Sequence, residues 1–274
     1  GKMVLRIGIV LMGVNMNFSE VLDVGKYSIF VMIFTMATAF GAGNLIGKMF
    51  GMNWKLTNLL SVSTAICGGS AVAAVGPVIK AKDEDIAYAI SSTFLFDILT
   101  VVVIPWIGIA LGMSSMGYGL WVGTAVNDTS SVVAAGYAFS EFAGNTAVIV
   151  KLTRTLFIIP YVLIFSIITE RIEAKSEGVH GPISINFKKI FPYFIILFLL
   201  VVALRSTGII PNTLIPALSN TSKFSMVMAL SAIGLKTSFK DIKNIGFKPM
   251  ILGFIVDTLV VFVSIGVQIA TGRF

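Results

Sequence analysis

Charge is scarce in this chain. Of its 274 residues only 12% are charged, about half the share of an ordinary soluble domain. That supply cannot cover the surface of a water-soluble globule of this size. The 56% of apolar residues exclude disorder as well. The single cysteine, Cys67, excludes an intrachain disulfide, and the single histidine, His180, leaves no Cys/His set for a structural metal. His180 reads as a solvated loop residue. No nucleophile–base–orienter set and no phosphate loop stands out, so neither an enzyme nor a bound cofactor is expected. What is plentiful is long apolar runs, the mark of a polytopic, all-α membrane protein.

The net charge of +7 and pI near 9.5 do not point to nucleic acid. The basic residues sit mostly at the ends of apolar runs, where membrane topology places them. Nine spans are expected, at about 3–14, 27–50, 54–80, 85–112, 117–142, 145–169, 190–206, 209–237 and 249–272. The first is too short for a hydrocarbon core of roughly 30 Å. It reads as the rear of a longer helix, with a further helical stretch expected before it. The polar stretch from Glu170 to Lys189, with Gly178, Gly181 and Pro182, reads as a surface loop within a single transporter domain over 1–274.

Two internal repeats organise the chain. At an offset of 221, Gly13, Phe18 and Gly25 match Gly234, Phe239 and Gly246. The first connector (Glu20, Asp23, Lys26) has net charge −1, and the second (Lys236, Lys240, Asp241, Lys243, Lys248) +3. Seven expected crossings separate them. The positive-inside rule then puts them on opposite sides and makes segments 3–50 and 222–272 an inverted repeat, a pattern of secondary transporters. At an offset of 60, Ser70, Val72, Ala74 and Gly76 match Ser130, Val132, Ala134 and Gly136. This pairs segment 54–112 with 117–169, each an interrupted helix followed by a span with a polar centre.

The interruptions carry the candidate chemistry. Gly68, Gly69 and Ser70 lie mid-span, where adjacent glycines weaken a helix. A helix restarting there would aim free N–H groups at an anion; close packing of small residues is the other reading. In the second interruption Asn127 or Asp128 can cap a half-helix beginning at Thr129, followed by Ser130 and Ser131. Asp128 is either a coupling carboxylate or only a cap. Lys151 and Arg154, at i and i+3, share a helix face. Buried, they would meet an anionic substrate or pair with Asp97 or Asp128; nearer a span end they would snorkel. Asp97 and Asp257 lie well inside their spans and fit either proton coupling or structural ion pairs.

These stretches resemble the YeiH-type family of bacterial inner-membrane proteins, which carry the name sulfate exporter. The resemblance rests on Leu5–Gly13, Ile66–Ala74, Pro77–Ala81, Tyr118–Trp121, Val132–Gly136, Val150–Arg154 and Ala232–Leu235, in order along nearly the whole chain. Gly69 stands where alanine is common in the family, Asp97 where a small residue is expected, and Asn127-Asp128 where others have a His-Glu pair. The resemblance implies kinship with the fold of bile-acid-type sodium symporters and sodium/proton antiporters, in which interrupted helices cross near the midplane.

The expectation is a multi-pass inner-membrane secondary transporter that exports a small anion such as sulfate or a related sulfur oxyanion. The alternatives are a sodium- or proton-coupled carrier of organic anions and a passive anion channel. Substrate contacts are expected from Gly68, Gly69, Ser70, Asn127, Thr129, Ser130, Ser131, Lys151 and Arg154. Coupling to Na+ or H+ is expected at Asp97, Asp128 or Asp257. Lipid is the surround, nucleic acid is not a partner, and a homodimer is possible. If the 221-residue repeat is inverted, single cysteines at Glu20 and Lys240 react with impermeant reagents from opposite faces; labelling from one face sinks the inversion.

Overall fold

The computed structural model describes residues 2–177, 193–236 and 247–272, and the described residues are helical with no strand. In chain order the helices are α1 (Lys2–Met12), α2 (Phe18–Met49), α3 (Trp54–Ala65), α4 (Gly69–Val78), α5 (Asp83–Ala110) and α6 (Ser115–Ala125). They continue with α7 (Thr129–Phe139), α8 (Glu141–Leu156), α9 (Ile158–Glu177), α10 (Tyr193–Ser206), α11 (Ile215–Lys236) and α12 (Phe247–Ala270). A 3₁₀ turn, Gly13–Asn15, closes α1.

Local chemistry sets the helix starts. Side-chain oxygens of Asn53, Ser114 and Ser140 accept from the N–H groups of Lys55, Gly117 and Ala143 at 3.1, 3.0 and 3.1 Å. Asp83, Glu84 and Asp85 place negative charge on the first turn of α5. Among the described residues, four apolar segments are long enough to cross a membrane: Phe18–Met49, Asp83–Ala110, Glu141–Ile172 and Phe247–Ala270. The exposed face of α5 carries Val102, Trp106 and Ile109 at i, i+4 and i+7, a stripe suited to lipid and not to water.

The structure redraws several expected spans. The runs 54–80 and 117–142 divide into α3 and α4 and into α6 and α7, at the two interruptions expected from the sequence, whereas other bounds move. Segment 145–169 divides at Phe157 between α8 and α9. Helix α2 begins at Phe18, nine residues before the expected 27, because Glu20, Asp23 and Lys26 are compatible with a helix. The expected loop from Glu170 is helical through Glu177, since Glu, Arg, Ala and Lys are good helix formers and nothing breaks the run before Gly178. Helix α11 starts at Ile215, not 209; Pro211 lies in the preceding turn, and Pro216 sits in the first helical turn, where a missing N–H costs little. His180, Gly181, Pro182, Phe239, Lys240 and Gly246 lie outside the described residues, as does the side-chain environment of residues 233–236. The second copy of the 221-residue repeat therefore falls largely outside them.

Around the two broken helices the packing is tight. Helices α2, α3, α5 and α6 surround α12, while α8 lies against α6 and α7. Helices α1, α10 and α11 form a flanking group, tied where Ser222 Oγ donates to the Gly8 carbonyl at 2.7 Å. Between α6 and α8 the backbones approach so closely that a Cβ on Gly119 would lie 2.8 Å from the Ala143 carbonyl oxygen. Gly119→Ala is expected to cost about 1–3 kcal/mol by overpacking. Gly41→Ala, with nothing within 4 Å of the added carbon, should be neutral or gain up to about 1 kcal/mol from helix propensity. Thermal unfolding in detergent compares the two; equal shifts would refute the close packing.

Candidate functional site

The two helix breaks meet. Helix α3 leaves helical geometry at Ile66, with φ −119° and ψ −85°. Gly68 then takes φ 63° and ψ −135°, a conformation essentially closed to residues with a side chain. The second interrupted helix leaves helical geometry at Val126, and α7 starts at Thr129. A Cβ on Gly68 would lie 3.6 Å from both the Asn127 carbonyl carbon and the Asp128 nitrogen, so the two breaks lie side by side with room for no more than a methyl group between them. The first residues of α4 and α7, Gly69 and Thr129, are 60 positions apart, the same offset that relates Ser70 to Ser130.

A broken helix exposes carbonyls at one end and N–H groups at the other, each end carrying about half a unit charge. Both carbonyl ends are met by cations from α8. Lys151 Nζ donates to the Ile66 carbonyl at 2.9 Å and to the Val126 carbonyl at 3.0 Å, tying one break to the other. Arg154 Nε donates to the Ala65 carbonyl at 2.7 Å, and its Nη2 donates to the Thr64 carbonyl. Both side chains are fully buried, so snorkelling to the surface is not what they do. Their hydrogen bonds go to main-chain carbonyls and none goes to Asp97 or Asp128. The Nη1 of Arg154 is buried with no partner.

The N–H end of α7 is met by carboxylates. Asp97, from the middle of α5, accepts from the backbone N–H of Asn127 and of Asp128, both at 3.0 Å. The Asp128 side chain caps α7 by accepting from the Ser130 N–H at 2.8 Å, and it also takes the Ser130 hydroxyl proton in a hydrogen bond. Asn127, fully buried, sends its side-chain N–H to Asp257 on α12 at 2.9 Å. The N–H end of α4 differs. Its N-cap is Gly68, no side chain caps it, and Ser70 is exposed there.

The structure thus brings Gly68, Asn127, Asp128, Asp97, Asp257, Lys151 and Arg154 to one junction. Gly69 and Ser70 open α4 beside it, and Thr129 and Ser131, partly buried, open α7. Sequence reasoning missed the carbonyls of Thr64, Ala65, Ile66 and Val126, because every residue type carries a carbonyl. The available signal was a buried Lys/Arg pair next to two helix-breaking stretches. Also missed were the hydroxyl contacts that hold neighbouring helices here, Thr124 to Ser264 and Ser63 to Thr93, both at 2.6 Å. Among the described residues no group of three His, Cys, Asp or Glu could hold a metal ion.

An all-helical chain with lipid-suited outer faces and buried charge at two abutting helix breaks is a polytopic membrane protein. The family described as conserved hypothetical protein 698 matches residues 1–253. A UPF0324 membrane protein of Clostridium tetani is 59% identical over 280 residues, 99% of this chain and 81% of that one. Similar proteins bearing the same name occur in Streptococcus pneumoniae (40% identity, 100% of this chain and 82% of the relative) and Fusobacterium nucleatum (36%, 100% and 83%). The chain belongs to this family, UPF0324, which is the YeiH family. No solved structure matches it.

Lys151→Met leaves the Ile66 and Val126 carbonyls without their donor, at about 1–3 kcal/mol each. Lys223→Met removes only a solvent-exposed ion pair with Glu141 at 2.8 Å, worth about 0–1 kcal/mol. The thermal midpoint should therefore fall much further for Lys151→Met. Adding Asp97→Asn to Arg154→Gln should deepen the loss, because the two side chains cap different helix ends; recovery in the double variant would show that they are a pair.

Proposed function

We propose that the protein is a secondary membrane transporter for a small anion, with the junction of the two broken helices as its translocation site. The carrying observation is the abutment of two interrupted helices, with their charged caps, inside an otherwise apolar bundle. Irregular backbone at membrane depth is tolerated where protein or a water-filled cavity surrounds it, and half-helix ends that present charge to a solute are a transporter device. Among the four half-helix ends, those of α3, α6 and α7 already have charged partners. The α4 end, with the Gly69 and Ser70 N–H groups and the Ser70 hydroxyl, is the one left for an anion. Lys151 and Arg154 supply positive charge behind it without being its first ligands, and the unpartnered Nη1 of Arg154 is a spare donor.

This reading narrows the expected substrate contacts. Asp97 and Asp128 put negative charge at the start of α7, so Thr129, Ser130 and Ser131 are poorer anion ligands than Ser70. No phosphate loop appears, so an ion gradient is the energy source in this proposal, and Na+ or H+ is the coupling ion. The bacterial inner membrane is its proposed location. Sulfate and related sulfur oxyanions are the first substrates to try, since bringing a dianion into the membrane requires the donors and cations gathered here.

The test is flux in proteoliposomes of labelled sulfate, sulfite, thiosulfate, taurine and carboxylates, under imposed Na+ or pH gradients. A transporter accumulates one of them uphill, and accumulation collapses when the gradient is dissipated. Downhill flux indifferent to either gradient makes the protein a passive channel. Ser70→Ala should weaken binding of that anion about tenfold, the value of one hydrogen bond to a charged group, with Ser131→Ala nearly silent. The reverse order would move the anion to α7.

A further inference from the structure

The three intramembrane carboxylates differ in how their oxygens are used. Both oxygens of Asp97 accept backbone N–H groups, and Asp128 caps α7. Asp257 is fully buried, and its Oδ1 accepts the Asn127 side-chain N–H at 2.9 Å; the Thr64 hydroxyl also reaches the carboxyl, while Oδ2 has no partner. Asn127 is fully buried too, and its Oδ1 also lacks a partner. Two planar groups of the same shape thus make one hydrogen bond, and the atoms left over on both are acceptors. An ionised carboxylate cannot donate. Ionised, Asp257 would leave two buried oxygens unsatisfied, at a cost neither could relieve for the other. One proton on Oδ2 turns that oxygen into a donor to Asn127 Oδ1 and closes an eight-membered acid–amide ring.

We propose that Asp257 is a proton-binding site, protonated on Oδ2 and paired through that proton with the amide of Asn127. Release sends the proton to water, breaks one hydrogen bond and leaves a single negative charge on α12. Because Asn127 lies in the α6–α7 break, proton binding acts directly on the backbone of the candidate site. Burial favours the neutral form, against the opposing positive charge of Lys151 and Arg154. From α5 the only buried ionisable side chain is Asp97, and the buried faces of α2 and α3 carry none. From α6 there is Tyr118, whose hydroxyl donates to the Ala135 carbonyl at 3.0 Å. Asp128 and Cys67 lie at the breaks. On α8, Lys151 and Arg154 spend their bonds on carbonyls, and Arg154 makes no ion pair with Asp257 although its Nη1 is unpartnered. The rival occupant is a monovalent cation held between Asp257 Oδ2 and Asn127 Oδ1, both buried and unpartnered.

The test uses the purified full chain in detergent and needs no flux, so its outcome is separate from that of the transporter reading. Infrared spectra between about pH 5 and 9, a range in which an ordinary Asp is already ionised, should contain the carbonyl band of a neutral carboxylic acid. The band should shift in D2O, vanish in Asp257→Asn, persist in Asp97→Asn and change frequency in Asn127→Ala. Asp257→Asn folds, because an amide makes the same ring with Asn127 without a proton. The folded protein keeps a proton that the unfolded chain releases, so wild-type thermal stability falls as pH rises, and the fall is lost in Asp257→Asn. Absence of the band from the wild type, or its survival in Asp257→Asn, overturns the proposal. So does stabilisation of the wild type but not of Asp257→Asn when NaCl replaces choline chloride, which assigns the site to Na+.

Discussion

The junction depends on one ammonium group. Lys151 binds the closing carbonyl of each broken helix, and no other side chain among the described residues hydrogen-bonds to both. A broken helix in a membrane has no water to satisfy its ends, and each unmet polar group costs several kcal/mol. The buried carbonyl ends of both breaks are therefore possible only where charge is brought to them. Burying Lys151 and Arg154 would itself be prohibitive without acceptors, so helix ends and cations solve one another's desolvation. Neither can be removed alone without stranding the other.

The remaining contacts follow from that exchange. Cations on α8 must reach α3 and α6 together, which demands that α6 and α8 pack at backbone distance. Gly119 permits it, since a side chain there would strike the Ala143 carbonyl. Helix α5 supplies the opposite charge: Asp97 holds the two N–H groups of Asn127 and Asp128 and so fixes the second break in its extended form. Helix α12 closes the junction through Asp257 and through the Ser264 hydroxyl on Thr124. Five helices thus owe their mutual placement to a few polar atoms, while the apolar side chains around them fill space.

Much of this was legible because helix interruption has a residue signature. Adjacent glycines at 68 and 69 and the Asn-Asp-Thr-Ser-Ser run at 127–131 contradict the apolar spans around them, and both breaks fall there. Asp128 as a cap for a helix starting at Thr129 was readable from the same chemistry. The depth of Lys151 and Arg154 was left open by the sequence, because it depends on where α8 begins, and the Ser140 cap that starts α8 is one serine among many. Their partners were less accessible still. A basic residue advertises a need for negative charge, and three aspartates were available to answer it. The carbonyls that answer instead have no side-chain identity. The expected loop after Glu170 misled because polarity was read as irregularity, although those residues are good helix formers.

The two-fold likeness of the broken helices is also what makes their differences functional. At equivalent positions 60 residues apart, one half-helix begins with Gly69-Ser70 and the other with Thr129-Ser130 behind an Asn-Asp pair. The substitution of side chains for hydrogen atoms changes the electrostatics completely. The α7 end arrives with its own carboxylates and is closed to further negative charge, whereas the α4 end arrives bare, with glycine at its cap and a dipole unanswered. A symmetric pair would attract two anions or none. In the proposed transporter the asymmetric pair gives one end to fixed protein charge and leaves the other for a solute, with the Asn127–Asp257 hydrogen bond set on the closed side. In the proposed transporter, charge on that side and occupancy on the open side are then linked through neighbouring backbone, because Gly68 lies close enough to Asn127 and Asp128 that an added Cβ would contact both.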